Sequence, residues 1–162
     1  MKGIGEFEEF ARAGVGGLYR TAWLLTGDRH HAEDLVQETL ANMLKVWSRV
    51  ETPEAYARTA LARIFVSQRR RRSWSERPTS ALPEQAGAVG DVALRVALQG
   101  ALGELAPLDR AVLVLRYFED RSVEQVALDL GKKPSAITTR TARALERLRV
   151  VLGDDAVHLT AL

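Results

Sequence analysis

Two basic clusters stand out as the residues of this 162-residue chain best placed to do chemistry, and that chemistry is the binding of a polyanion. The first runs from Arg58 to Arg72, ends in four consecutive arginines, and has Trp47, Tyr56, Phe65 and Trp74 around it. Four arginines in a row point around most of a helix circumference, so local pairing cannot absorb them all. Cations among aromatic rings suit a partly unstacked strand, because bases stack on the rings while arginines follow the phosphates. Of those rings, Trp47 and Phe65 are expected in the core. The second cluster lies between Lys132 and Arg149. Its outward positions are Ser135, Thr138, Thr139, Arg140, Arg143 and Arg147, preceded by Lys132 and Lys133. Hydroxyls bond phosphates or base edges, arginine grips guanine bidentately, and lysine suits phosphate. The plain alternative for either cluster is a solvated helix face.

Catalysis finds little support. His30, His31, Glu33 and Asp34 are adjacent in sequence, but neighbours at i and i+1 do not share a helix face. No pair of histidines stands at i, i+4 with a carboxylate, and there is no Gly-rich phosphate loop and no GxSxG elbow. The expectation is a protein that is not an enzyme and takes no cofactor, no metal and no small-molecule substrate.

The elements that must position these clusters read as helices. Leu18 to Leu25 is an apolar helical stretch closed by Thr26 and Gly27, after which Asp28 can cap the next helix. There Ala32, Leu35, Val36, Thr39, Leu40, Met43, Leu44 and Trp47 repeat at helical spacing, leaving Glu33, Asp34, Gln37, Glu38, Ala41 and Asn42 on the other face. Thr52-Pro53 starts a helix that carries the first cluster. Ser73 to Gly90 has linker composition. Beyond it, Asp91 can cap a helix to Leu105, and Pro107 opens another to Phe118. Ser122-Val-Glu-Gln125 is a capping box for a short helix ended by Gly131. Pro134 then begins a longer helix lined by Ile137, Thr141, Ala144, Leu145, Leu148 and Leu152. A short helix, a tight turn and a longer helix spell helix-turn-helix.

The formal net charge is only +2, yet charge is segregated along the chain. Lys2 to Ala57 holds six basic and nine acidic residues, Arg58 to Arg77 seven and one, Ala101 to Gly131 three and six, and Lys132 to Arg149 six and one. Local nets of −3, +6, −3 and +5 suggest two surfaces for nucleic acid and two for protein. The absence of cysteine excludes disulfide scaffolds, thiolate metal sites and thiol catalysis. No apolar run reaches the roughly 20 residues of a membrane span, and the start has no apolar signal core. A cytoplasmic protein is the expectation, with no membrane partner.

Three segments carry a family pattern: LYRTAWLLTGDRHHAEDLVQETL (Leu18 to Leu40), YARTALARIFVSQRRRR (Tyr56 to Arg72) and LDRAVLVLRYFEDRSVEQVALDLG (Leu108 to Gly131). Together they closely resemble a bacterial RNA polymerase sigma factor. The short length is similar to the extracytoplasmic-function group, which keeps only regions 2 and 4. The resemblance implies an all-α protein of two small helical domains joined by a flexible linker, the second containing the helix-turn-helix. It divides the chain into region 2 (1–74), linker (75–100), region 4 (101–153) and tail (154–162). Asp34, Leu35, Gln37, Glu38 and Asn42 would then bind the clamp helices of the largest subunit of core polymerase. Arg49, Tyr56, Arg58, Arg63, Arg69 and Arg70 would serve the minus-10 side of promoter DNA. Lys132, Lys133, Ser135, Thr138, Thr139, Arg140 and Arg143 would serve the minus-35 side, and region 4 would also meet the flap of the second-largest subunit. An anti-sigma factor is a partner common in the family. Two places depart from the pattern: Ala62-Arg63-Ile64 stands where Ala-Arg-Asn is usual, and Lys133-Pro134-Ser135-Ala136-Ile137-Thr138 where Ser-Pro-Gly-Thr-Val-Lys is frequent. The competing readings are a stand-alone dimeric helix-turn-helix regulator and a protein-interaction module without a transcriptional role.

Overall fold

Seven α-helices carry the described part of the chain, and their boundaries follow from local chemistry. The computed structural model describes residues 2–71 and 92–153. The helices are α1 (Ile4–Thr26), α2 (Arg29–Val46), α3 (Pro53–Arg71), α4 (Val92–Gly103), α5 (Pro107–Leu113), α6 (Val123–Leu130) and α7 (Pro134–Leu152). A single 3₁₀ turn (Trp47–Arg49) follows α2, and a π-helical turn (Val114–Phe118) prolongs α5. There is no strand among the described residues. Trp74 and Asp91, both singled out above, lie outside the described residues.

Caps set the ends. Gly27 closes α1 at φ +71, donating its N–H to the Trp23 carbonyl at 2.8 Å, a left-handed conformation that glycine adopts without strain. Asp28 then accepts from the His31 N–H at 3.1 Å and opens α2. The capping box at α6 is complete: Ser122 Oγ accepts from the Gln125 N–H at 3.1 Å, and Gln125 Oε1 accepts from the Ser122 N–H at 2.9 Å. Proline stands at the first turn of both α5 and α7, where its missing N–H would have had no helical partner.

Helices α1, α2 and α3 form one unit. Trp47 anchors its lower end, donating from Nε1 to the Gly3 carbonyl at 3.1 Å, with Phe7 edge-on at 5.3 Å. Met43, Val50 and Ala57 complete this small apolar cluster. Helices α5, α6 and α7 form the second unit, where Val112, Leu115, Val126, Ala127 and Ile137 pack together with Ala62 of α3. Helix α4 crosses the 100/101 position, so its first turns belong to the stretch read as linker.

The two units do not hang apart. The largest core cluster joins Ala22, Leu25, Leu35, Leu61 and Phe65 of the first to Leu98, Leu102, Leu113, Val114, Leu148 and Leu152 from α4 onward. Arg110 of α5, only 4% exposed, reaches into that seam. Its guanidinium donates to the carbonyls of Leu25 (2.6 Å), Gly103 (3.0 Å) and Leu105 (3.2 Å), and stands 5.8 Å from the Phe65 ring centre. It thereby satisfies carbonyls that the ends of α1 and α4 would otherwise leave orphaned.

Candidate nucleic-acid interfaces

The helix-turn-helix presents its second helix outward. Ile137, Thr141, Ala144, Leu148 and Leu152 are buried along one face of α7. That seating turns Lys133, Ser135, Thr138, Thr139 and Arg143 to solvent, with Lys132 and Arg140 half-buried. Gly131 makes the turn at φ +65. Ser135, Thr139, Arg140 and Arg143 line one shallow groove with Ala136 and Asp109. Within it Arg140 Nη1 pairs with Asp109 Oδ1 at 2.9 Å. The Thr138 and Thr139 hydroxyls donate back to the Pro134 (3.2 Å) and Ser135 (3.1 Å) carbonyls, so each offers its lone pairs outward. An exposed helix start flanked by two lysines, with a positive dipole end, is a ready site for phosphate.

The first basic cluster divides. Arg49 and Tyr56 are exposed, Tyr56 at 40%. They line a broad groove with Asn42, Arg63, Arg121 and Asp129. Phe65 and Trp47 are buried, as expected. Ile64 is half-buried against the main core and offers no polar group. Helix α3 carries Arg69 and Arg70 in its last turns, but their side chains lie outside the described ones.

Arg58 and Arg63 are engaged. Arg58 Nε lies 2.9 Å from Glu119 Oε2, which belongs to the loop between the π-helical turn and α6. Glu119 also accepts from the Thr21 hydroxyl of α1. Arg63 Nη2 donates to the Leu128 carbonyl at 3.0 Å, and its Nε donates to the Asp129 carbonyl. Asp129 is buried and held within its own unit by Arg121, bidentately at 2.7 and 2.9 Å. This hydrogen-bonded carboxylate pushes the Arg121 pKa further up. Thr59 of α3 adds a third donor to Asp129 at 3.1 Å. None of these contacts could be read from the sequence, because each joins positions at least 61 residues apart except the Arg121 pair.

On α2 the polar face exists, with one correction. Asp34 and Gln37 are exposed, and Glu38 and Asn42 are half-buried. Glu38 accepts from Gln68 Nε2 of α3. Leu35 has no exposed surface at all and belongs to the main core. It falls on the apolar stripe of α2, so it supports the face from beneath and cannot touch a partner in this conformation. Among the described residues there is no group of three or more His, Asp or Glu placed to hold a metal ion. Nor is any described helix long and apolar enough to cross a membrane.

Comparison with known proteins adds independent findings. Residues 11–75 match the family model of Sigma-70 region 2, and residues 95–148 that of Sigma-70, region 4. The chain is 36% identical over 149 residues to the RNA polymerase sigma-E factor of Streptomyces coelicolor, covering 89% of this chain and 84% of that protein. It is 34% identical over 151 residues to the ECF RNA polymerase sigma factor SigL of Mycobacterium tuberculosis, covering 83% and 82%. Among solved structures, the sigma factor RpoE of Bartonella quintana, in complex with the anti-sigma factor NepR, is similar at a TM-score of 0.74 and 26% identity. That similarity extends over 91% of this chain and 96% of the other.

Proposed function

This chain belongs to the RNA polymerase sigma factors, in the extracytoplasmic-function group, and we propose how its surfaces do that work. It binds core RNA polymerase and directs promoter-specific initiation. In this reading, α2 meets the clamp of the largest subunit through Asp34, Gln37, Glu38 and Asn42. The groove of Arg49 and Tyr56, with Arg58, Arg63, Arg69 and Arg70, holds the minus-10 side of the opened promoter. Helix α7 reads the minus-35 side through Ser135, Thr138, Thr139, Arg140 and Arg143, with Lys132 and Lys133 on phosphates. No residue is asked to make or break a bond: the protein supplies binding energy, register and a place for the unpaired strand. An anti-sigma factor is a fitting partner, as one is bound to the solved relative.

The observation that carries this reading is the exposed, groove-lining start of α7 behind a completed capping box. Run-off transcription from a pool of genomic fragments tests it. Core polymerase with the chain is expected to give transcripts sharing an upstream motif. An absence of both transcripts and core binding would favour the stand-alone regulator instead. Free protein should bind promoter duplex weakly and with a steep loss in salt, since few phosphates are neutralised.

A further inference from the structure

We propose that Asp109 is a positioning residue for base reading, which holds the Arg140 guanidinium ready to grip a guanine edge. The inference rests on α7 as the reading helix and names what sharpens its specificity. The premise is an acid in an unfavourable place. Lys132 to Arg149 holds six basic residues and one acid, yet α5 adds the Asp109 carboxylate to the groove lined by Ser135, Ala136, Thr139, Arg140 and Arg143. Beside a phosphate backbone such a charge repels, so it weakens binding to every sequence alike. Stability does not require it. The Arg140 and Asp109 side chains are 39% and 24% exposed, and an ion pair that open to water adds little to a fold. Helices α5 and α7 are joined by buried apolar residues instead, Val112 with Ile137 in one cluster and Leu113 with Ala144 and Leu148 in another.

What the pair supplies is order. A free arginine side chain surrenders much rotamer freedom when it binds. Both members of this pair stand on fixed backbone. Next to Asp109, Arg110 is buried and donates to three carbonyls. Next to Arg140, Thr141 is buried and its hydroxyl donates to the Ile137 carbonyl at 2.7 Å. Among the described residues the Asp109 contact is the one polar bond of the Arg140 side chain, made through Nη1. Its Nε and Nη2 donors stay available, and two such N–H groups match guanine O6 and N7. Arg140 also stands in the first two turns of α7, where a reading helix meets base edges. Arg143 and Arg147 lie further along and pair with no carboxylate among the described residues. They suit phosphate, which asks for charge more than for direction. An Arg140 ordered in advance loses less on binding, but only against a base that matches its geometry, so the gain is confined to that base.

The test uses the full chain and a library of duplexes carrying a random segment of about 12 base pairs, bound at low salt. Bound duplexes are sequenced, and the average affinity for the library is titrated. The parent is expected to enrich guanine about tenfold at one position. Asp109→Ala should cut that preference to about twofold or less, yet tighten the average affinity about twofold, because a repelling charge is gone. A merely structural role would lower both together, and that result would overturn the proposal. Asp109→Asn keeps an acceptor and loses the charge, so it should share the gain in affinity and retain about half of the preference or more. Arg140→Ala should lose the same preference, and adding Asp109→Ala to it should lose no more. An additive loss would mean that Asp109 meets a base by itself, as carboxylates do with cytosine N4, and would overturn the proposal. So would a parent without any base preference. Run-off transcription keeps the two readings apart. The expected losses without transcripts from core polymerase would end the sigma reading and leave the positioning intact. Transcripts from the parent, with the preference of Asp109→Ala unchanged, would do the reverse.

Discussion

The Arg110 guanidinium of α5 donates to the Leu25 carbonyl at the end of α1, 2.6 Å away and 85 residues earlier in the chain. One buried cation thus ties the end of the first helix to the start of the helix-turn-helix unit. Arg110→Ala should leave three carbonyls short of a donor and a void beside Phe65. The expected loss is about 3 kcal/mol, read as a fall of roughly 6–12 °C in Tm by calorimetry. A Tm within 2 °C of the parent would show that the seam does not depend on it.

Gly27 provides a second probe of the same seam. It sits at φ +71, and a Cβ there would come within 1.9 Å of Gln99 Nε2 on α4. Gly27→Ala should therefore destabilise by about 1–2 kcal/mol from the left-handed backbone alone, with more from the clash. Adding Gln99→Ala should recover the clash and not the backbone share. Denaturant unfolding of the double-mutant cycle separates the two; strict additivity would mean α4 yields freely.

The reading helix makes a salt-dependence prediction. Lys133 and Arg143 are exposed at and beyond the start of α7. Changing either to Ala should lower the slope of log K against log salt by about 0.9 for each phosphate left without its cation. Polymerase–promoter titrations over a salt series measure it. An unchanged slope would remove that residue from the interface.

On the opposite surface, Asp34→Ala combined with Gln37→Ala should weaken binding to core polymerase at least tenfold and leave the circular-dichroism spectrum as it was. Both side chains are exposed on α2, so no packing is lost. Unaltered core affinity would mean that a different face of α2 meets the polymerase.

The legible part of this molecule is the local part. Ser122 with Gln125, Asp28 with His31, and the stripe from Ala32 to Trp47 are set by neighbours within a few residues, and sequence spacing reports them directly. The helix-turn-helix and the exposed start of α7 follow from the same signals. The joint between the units is not local. Nothing near Glu119, Asp129, Arg58 or Arg63 in the sequence names a partner some 60 residues away. Leu35 shows the complementary case. A family pattern placed it on the polymerase face, whereas its own position on the apolar stripe already put it in the core.

The pairing of Arg58 with Glu119 also bears on competition within a cell. A genome offers on the order of a million or more non-specific sites to any chain with an open cationic groove. Each cation already paired within the chain, as Arg58 is with Glu119, is one fewer to draw the protein onto such sites.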